Sequence, residues 1–249
     1  VLYTVIGGSR AVSHTHKYQM FVILCGLLIV FYYLNSFISN QITISKSFDL
    51  IKLFEKNNAL SFSFDPKEEY TIWTGLLGGF FLSLSYFGTD QSQVSRYINA
   101  TNIKESRIGL IFNAILKIPL QFFILYIGLL LFVFYSVNEP PVNFNKNLIE
   151  YQSKNNPKLL EDITIKSKGI FDEKKQLILN DEWNNKLIIG KDNELNNARK
   201  KLEENALSSG FKYEKPENDF IFLHFILNYL PHGFIGLIIA LILSAAMSS

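Results

Sequence analysis

A lysine inside an apolar stretch is the first residue of this sequence that could do chemistry. Lys117 is the single charged residue of residues 108–137. It lies roughly 14 Å into that stretch if the stretch is helical, at about 1.5 Å per residue. A lysine at that depth of a membrane is costly unless it faces a polar cavity, a partner or water. The alternative is that its long side chain reaches back to the membrane surface.

The segment SAAMSS, at the end of the sequence, combines small side chains with hydroxyl groups. Small residues allow close helix packing, and serine can bond back to its own helix. Hydroxyl and carbonyl oxygens are also the ligands that a hard cation such as sodium prefers. By itself, the segment favours helix packing over cation binding.

A glycine-rich apolar segment, TGLLGGFFLSLSYFG, carries Ser83, Ser85 and Tyr86 near its end. Interrupted helices place polar backbone at the membrane midplane in secondary transporters. Glycine is also frequent in ordinary transmembrane helices, so the segment is suggestive only.

Four segments of the sequence are long and apolar enough to cross a bilayer, which takes about 20 residues. They are residues 18–38, 70–89, 108–137 and 220–249. Pro231 and Gly233 divide the last one, so its first part is expected to lie at the membrane interface and its second part to span. A soluble fold would need amphipathic helices to cover four buried ones, and the sequence shows no such helices.

Charge and cysteine content exclude several classes of protein. The net charge of +2 gives no reason to expect nucleic-acid binding. Cys25 is the one cysteine, so no internal disulfide can form. The sequence shows no catalytic set, and we expect a membrane protein that is not an enzyme and needs no cofactor.

Three regions are predicted along the chain. Residues 1–137 hold transmembrane helices and their loops, with residues 1–17 as a cytoplasmic connection. Residues 138–219 form a hydrophilic helical insert on the outer side, with a helix that stops at Gly210. Residues 220–249 hold the interfacial helix and a further transmembrane helix.

Three separated motifs resemble signatures of the sodium:solute symporter family, which includes sodium/glucose-type carriers. They are YTVIGGSRAVSHTHKYQ, YFGTDQSQVSRYINA and LPHGFIGLIIALILSAAMSS. The resemblance implies an all-helical membrane protein with a ten-helix inverted-repeat core. The order of the motifs implies an internal fragment that covers about core helices 5–8, with Asp90, Gln91 and Arg96 in a cytoplasmic connection.

The resemblance also implies roles for single residues. A sodium site would take ligands from Ala245, Ser248 and Ser249. The solute would contact Ser83, Tyr86, Phe87 and Lys117. Sodium would be the coupling ion, without another cofactor.

One motif departs from the family pattern. His14-Thr15-His16 stands where the family has Trp-Thr-Asp, and histidine titrates near neutral pH. The function predicted is sodium-coupled symport of a small organic solute, a sugar or sugar acid, across the plasma membrane. A proton-coupled or uncoupled carrier and a transporter-like membrane sensor are the alternatives.

Overall fold

The fold comes from a computed structural model of the 249-residue chain. It describes residues 2–56, 62–65, 71–91, 94, 98, 102–180, 183–212 and 217–248. For residues 2–14, 241–242 and 244–248 it describes the backbone alone. The chain forms two compact units: a first unit of Val1–Thr15 and Glu55–Tyr126, and a second unit of His16–Phe54 and Ile127–Ser249.

The regular secondary structure of the described residues is entirely α-helical, as expected. The helices are α1 (Leu2–Ser39), α2 (Ile44–Leu53), α3 (Ile72–Gly88), α4 (Ile103–Val137), α5 (Lys146–Asn155), α6 (Pro157–Leu179), α7 (Asn185–Ser208), α8 (Asn218–Tyr229) and α9 (His232–Ser248).

Two helices in the described part of the chain are long and apolar enough to cross a membrane. These segments are Thr15–Ser39, within α1, and Ile103–Val137, which is α4. The apolar helix α3 has 17 residues, or about 25 Å at 1.5 Å per residue. Residues 2–17 continue as helix into the first span. No proline interrupts these residues, and the two adjacent glycines, Gly7 and Gly8, are tolerated.

An aromatic cluster holds three helices of the second unit together. The ring of Phe134, on α4, is fully buried. Its centroid lies 6.0 Å from Phe37 of α1, 5.0 Å from Phe225 of α8 and 4.8 Å from Tyr229 of α8. Just beyond the cluster, the side-chain amide of Gln41 donates a hydrogen bond of 2.7 Å to Asn138.

The insert has a hydrophobic core of its own in spite of its polar composition. Leu148, Ile163 and Leu202, from α5, α6 and α7, form a buried cluster with Ala198 and Ala206. The fully buried Gln152 is satisfied, because its amide donates to the Leu202 carbonyl group at 2.9 Å. The periodic apolar positions of these helices therefore face one another.

The predicted end of the last insert helix is confirmed. Helix α7 ends at Ser208, and Gly210 follows with φ +96°. Side chains other than glycine rarely adopt that backbone conformation. The turn brings the Phe211 N–H to the Ala206 carbonyl at 2.9 Å, and the Phe211 ring packs on the core of the insert.

A buried lysine of the insert forms an ion pair within the insert and also contacts the end of α2. Lys174 is 4% exposed, and its ammonium lies 2.5 Å from Asp192 on α7. The same ammonium lies 5.4 Å from the centroid of the Phe54 ring, just after α2. Lys46 of α2 donates to the Leu179 carbonyl at 3.1 Å, at the C-terminal end of α6, where a cation is favourable.

A histidine joins α8 to α4. The Nδ1 atom of His224 lies 2.7 Å from the Tyr135 hydroxyl group, and its ring packs edge-on to Phe144. Burial lowers the pKa of His224, and the nearby Lys146 lowers it further. At the start of α8, Glu217 accepts a hydrogen bond from the Phe144 N–H at 3.1 Å. Burial raises the pKa of Glu217, although Arg199 opposes that shift.

Asp192→Asn is expected to weaken the α6–α7 pair, because it leaves the Lys174 charge buried without its carboxylate. The loss should be about 3 kcal/mol. Hydrogen exchange of α6 and α7 amides in the full-length protein measures it as faster local opening. Glu173→Gln is the matched control, because Glu173 pairs with Lys191 at 2.7 Å but its side chain is 63% exposed; its expected effect is under about 1 kcal/mol. Equal effects of the two substitutions would contradict a structural role for the buried pair.

The contact between α8 and α4 is expected to weaken at acid pH. Because the folded-state pKa of His224 is lowered, its contribution is complete above about pH 6.5 and is lost as the pH falls through the folded pKa. The raised pKa of Glu217 acts in the opposite sense, since its contribution is lost as the pH rises through the folded pKa.

The measurement is hydrogen exchange of the α8 backbone amides at about pH 5 and about pH 7, with each rate corrected for the intrinsic exchange rate at that pH. His224→Gln should remove most of the acid-dependent opening. His232→Gln, at an exposed histidine, should leave it unchanged. Acid opening that persists in His224→Gln would show that another group is responsible.

Candidate functional site

The helix α3 positions the predicted solute-contacting residues of the first unit. It begins at a capping box, in which the Thr74 N–H donates to the Thr71 hydroxyl at 3.2 Å and the Thr71 N–H donates to the Thr74 hydroxyl at 2.9 Å. It ends at Gly88, where the N–H groups of Thr89 and Asp90 both donate to the Ser85 carbonyl, at 3.0 and 3.1 Å. The helix therefore stops just after Phe87, and the polar residues of the second motif begin there.

The structure brings two of the predicted solute-contacting residues together. The ammonium group of Lys117, on α4, lies 5.9 Å from the centroid of the Tyr86 ring, on α3. This is within the range of a cation–π interaction. The Phe87 ring lies edge-on to Tyr86 at 5.0 Å. Ser83 lies one turn before Tyr86 and Phe87 on the same helix, so the three share a face.

Sequence reasoning missed two polar neighbours of Lys117. Asn113 and Gln121 lie four residues before and four residues after it on α4, and all three side chains are exposed. That spacing places an ammonium and two amides along one side of the apolar part of α4. Pro119 lies inside this helix and cannot donate a hydrogen bond to the Ile115 carbonyl. The i, i+4, i+8 spacing was the signal in the sequence that could have identified the stripe.

The predicted sodium ligands lie at the end of α9. The backbone of Ala245 and Ser248 belongs to that helix, while their side chains and all of Ser249 lie outside the described residues. Arg96 and the His14 side chain also lie outside them. His16 is half-buried on α1.

The architecture fits a membrane transporter, because it is all-helical and has two helices able to span a bilayer. A family model for the sodium:solute symporter family matches residues 1–156. That is more than half of the chain, so the chain belongs to the sodium:solute symporter family. The match includes the stripe on α4 and the Tyr86 region, and it ends before α9.

The chain is also similar to parts of several sodium-coupled transporters. The human sodium/iodide cotransporter is 29% identical over 55% of this chain and 21% of its own length. The human sodium-coupled monocarboxylate transporter 2 is 30% identical over 45% of this chain and 18% of its own length. The sodium/sialic acid symporter NanT of Aliivibrio fischeri is 28% identical over 58% of this chain and 29% of its own length.

The chain thus spans less than a third of the length of each of these relatives. No solved structure matches it significantly.

Removal of the Tyr86 ring is expected to weaken solute binding through Lys117. Tyr86→Leu should raise the KM for solute in the full-length protein about two- to fivefold, the equivalent of about 0.5–1 kcal/mol for an exposed cation–π pair. Tyr86→Phe keeps the ring face and should have little effect on this interaction. Phe81→Leu, which removes an exposed ring from the same helix, is the matched control.

A double-mutant cycle makes the test specific. In a Lys117→Met background, Tyr86→Leu should have a smaller effect than in the wild type. Strictly additive effects would show that the two side chains act independently.

Proposed function

We propose that the full-length protein carries a small organic anion across the plasma membrane together with sodium. Membership of the sodium:solute symporter family supports this reaction, and so do the names of the relatives, which each include sodium. The sodium gradient across the membrane would supply the driving force for solute transport. Solute and sodium would bind together on the outer side and be released together on the inner side as the protein changes conformation.

The Lys117 ammonium on the Tyr86 ring is the observation that carries the choice of an anion. An ammonium in an apolar helix needs a counter-charge, and a solute carboxylate can provide it. The relatives' names support the same choice, since iodide, monocarboxylate and sialic acid are all anions at neutral pH.

Within the anions, a sugar acid is the favoured solute class. The amides of Asn113 and Gln121 can each donate and accept hydrogen bonds, which suits the hydroxyl groups of a polyol. The aromatic face of Tyr86 suits the apolar side of a sugar ring. A carboxylate on Lys117 and hydroxyl groups on the amides would fix the orientation of such a solute along α4.

The remaining parts of the proposal concern the fold and the ion site. A ten-helix inverted-repeat core would place α3 and α4 beside helices that lie outside this chain. The α9 segment would contribute Ala245, Ser248 and Ser249 to a sodium site. Backbone and hydroxyl oxygens of this kind suit a hard monovalent cation.

Uptake into vesicles by the full-length protein tests the proposal. Labelled sugar acids, neutral sugars and monocarboxylates are each offered with sodium or choline outside. We expect one carboxylate-bearing solute to accumulate only with sodium. Lys117→Gln should reduce its kcat/KM at least about tenfold, the loss of roughly 1.4 kcal/mol from one charged contact, while Lys117→Arg should retain more activity.

The ion site is tested in the same assay. Ser249→Ala should weaken the dependence on sodium, and Ser244→Ala, at a neighbouring hydroxyl outside the predicted ligand set, is its control. Uptake that ignores sodium would contradict the symport mechanism. Uptake of a neutral sugar that is unaffected by Lys117→Gln would contradict the choice of an anion.

A further inference from the structure

A small cavity lies in the second unit, where the chain leaves α4 and meets the insert. Its volume is about 110 Å³. One water molecule needs about 10–15 Å³ of such space, so the cavity is large enough for a small organic molecule. Pro140 and Pro141, Phe171 and Leu195 form apolar walls. All residues that line it belong to the second unit, whereas Lys117 and Tyr86 belong to the first unit.

A buried hydroxyl group without a partner lines this cavity. Ser167, on α6, is 9% exposed, and its Oγ atom has no hydrogen-bond partner among the described residues. Thr164 lines the same cavity one turn earlier, but its hydroxyl group donates to the Leu160 carbonyl at 2.6 Å. A buried hydroxyl group without a partner has lost its hydrogen bonds to water and gained none in the protein, which carries a cost in stability. A ligand that accepts a hydrogen bond from Ser167 would remove that cost.

One charged group that lines the cavity, the Arg199 guanidinium, can bind an anion. Lys168 and Glu139 lie 4.0 Å apart, and both side chains are more than half exposed, so they largely neutralise each other at the surface. Arg199, on α7, adds a further positive charge, with its guanidinium 5.8 Å from the centre of the Phe144 ring. Glu217 also attracts this guanidinium, and Glu203 and Glu217 line a neighbouring cavity with Arg199, so an anion bound by Arg199 would compete with these two carboxyl groups.

We propose that this cavity binds a small monocarboxylate. The guanidinium of Arg199 would hold the carboxylate, a geometry that guanidinium groups match well. The Ser167 hydroxyl group would donate to one carboxylate oxygen, and a short alkyl group would lie against Phe171 and Leu195. A halide ion would leave most of the cavity to water, so the apolar walls and the volume favour an organic anion. This is a second site, distinct from the one proposed for transport.

The test measures ligand-dependent protection from hydrogen exchange in α6 and α7 of the full-length protein. The probes are sodium propionate and sodium chloride, at equal sodium concentration and ionic strength. Propionate should slow exchange in the wild type, and chloride should not. Ser167→Ala and Arg199→Gln should each weaken propionate binding about tenfold, equivalent to about 1.4 kcal/mol for a charge-assisted hydrogen bond.

Ser208→Ala is the matched control. Its hydroxyl group is also on an insert helix but is exposed and already donates to the Asn205 carbonyl, so propionate protection should stay at the wild-type level. Ser167→Ala removes an unpaired hydroxyl group and is expected to fold, so the comparison does not depend on Arg199→Gln. Equal protection by chloride, unchanged propionate protection in Ser167→Ala, or no protection by propionate would each overturn the proposal. None of these results would bear on sodium-dependent uptake through Lys117.

Discussion

The packing of the Phe134 ring is the interaction on which the second unit depends. A fully buried phenylalanine contacts aromatic rings from α1 and α8, and edge-to-face contacts of this kind add to the hydrophobic gain from burial. With these three helices packed together, the side chains of Gln41 and Asn138 form a hydrogen bond at the end of α4, just before the chain enters the insert.

The first unit follows a different constraint, the cost of polar groups in apolar surroundings. Lys117, Asn113 and Gln121 lie on one side of α4, and the lysine reaches the aromatic face of Tyr86. This grouping confines the polar side chains to one side of this part of the helix and leaves its other sides apolar. The missing N–H of Pro119 adds a free backbone acceptor in the same turn.

The insert shows that a nearly neutral, asparagine-rich composition can still specify a packed structure. Its three helices bury Leu148, Ile163 and Leu202 against one another. Its polar groups divide into satisfied ones, such as Gln152, and the unpaired Ser167. Composition alone favoured a solvated surface and gave no reason to expect a core, a buried ion pair or a cavity.

The sequence by itself determined the family, the all-helical class, and the helix stop at Gly210, because these depend on local motifs, apolar length and backbone preference. It also drew attention to Lys117 and Tyr86 separately. Only the tertiary structure decided that these two side chains meet, that Lys174 is buried against Asp192 and that the Ser167 hydroxyl group has no hydrogen-bond partner in the described part of the chain. Each of these facts depends on side chains from different turns or helices coming together, and periodicity along one helix carries no information about its neighbours.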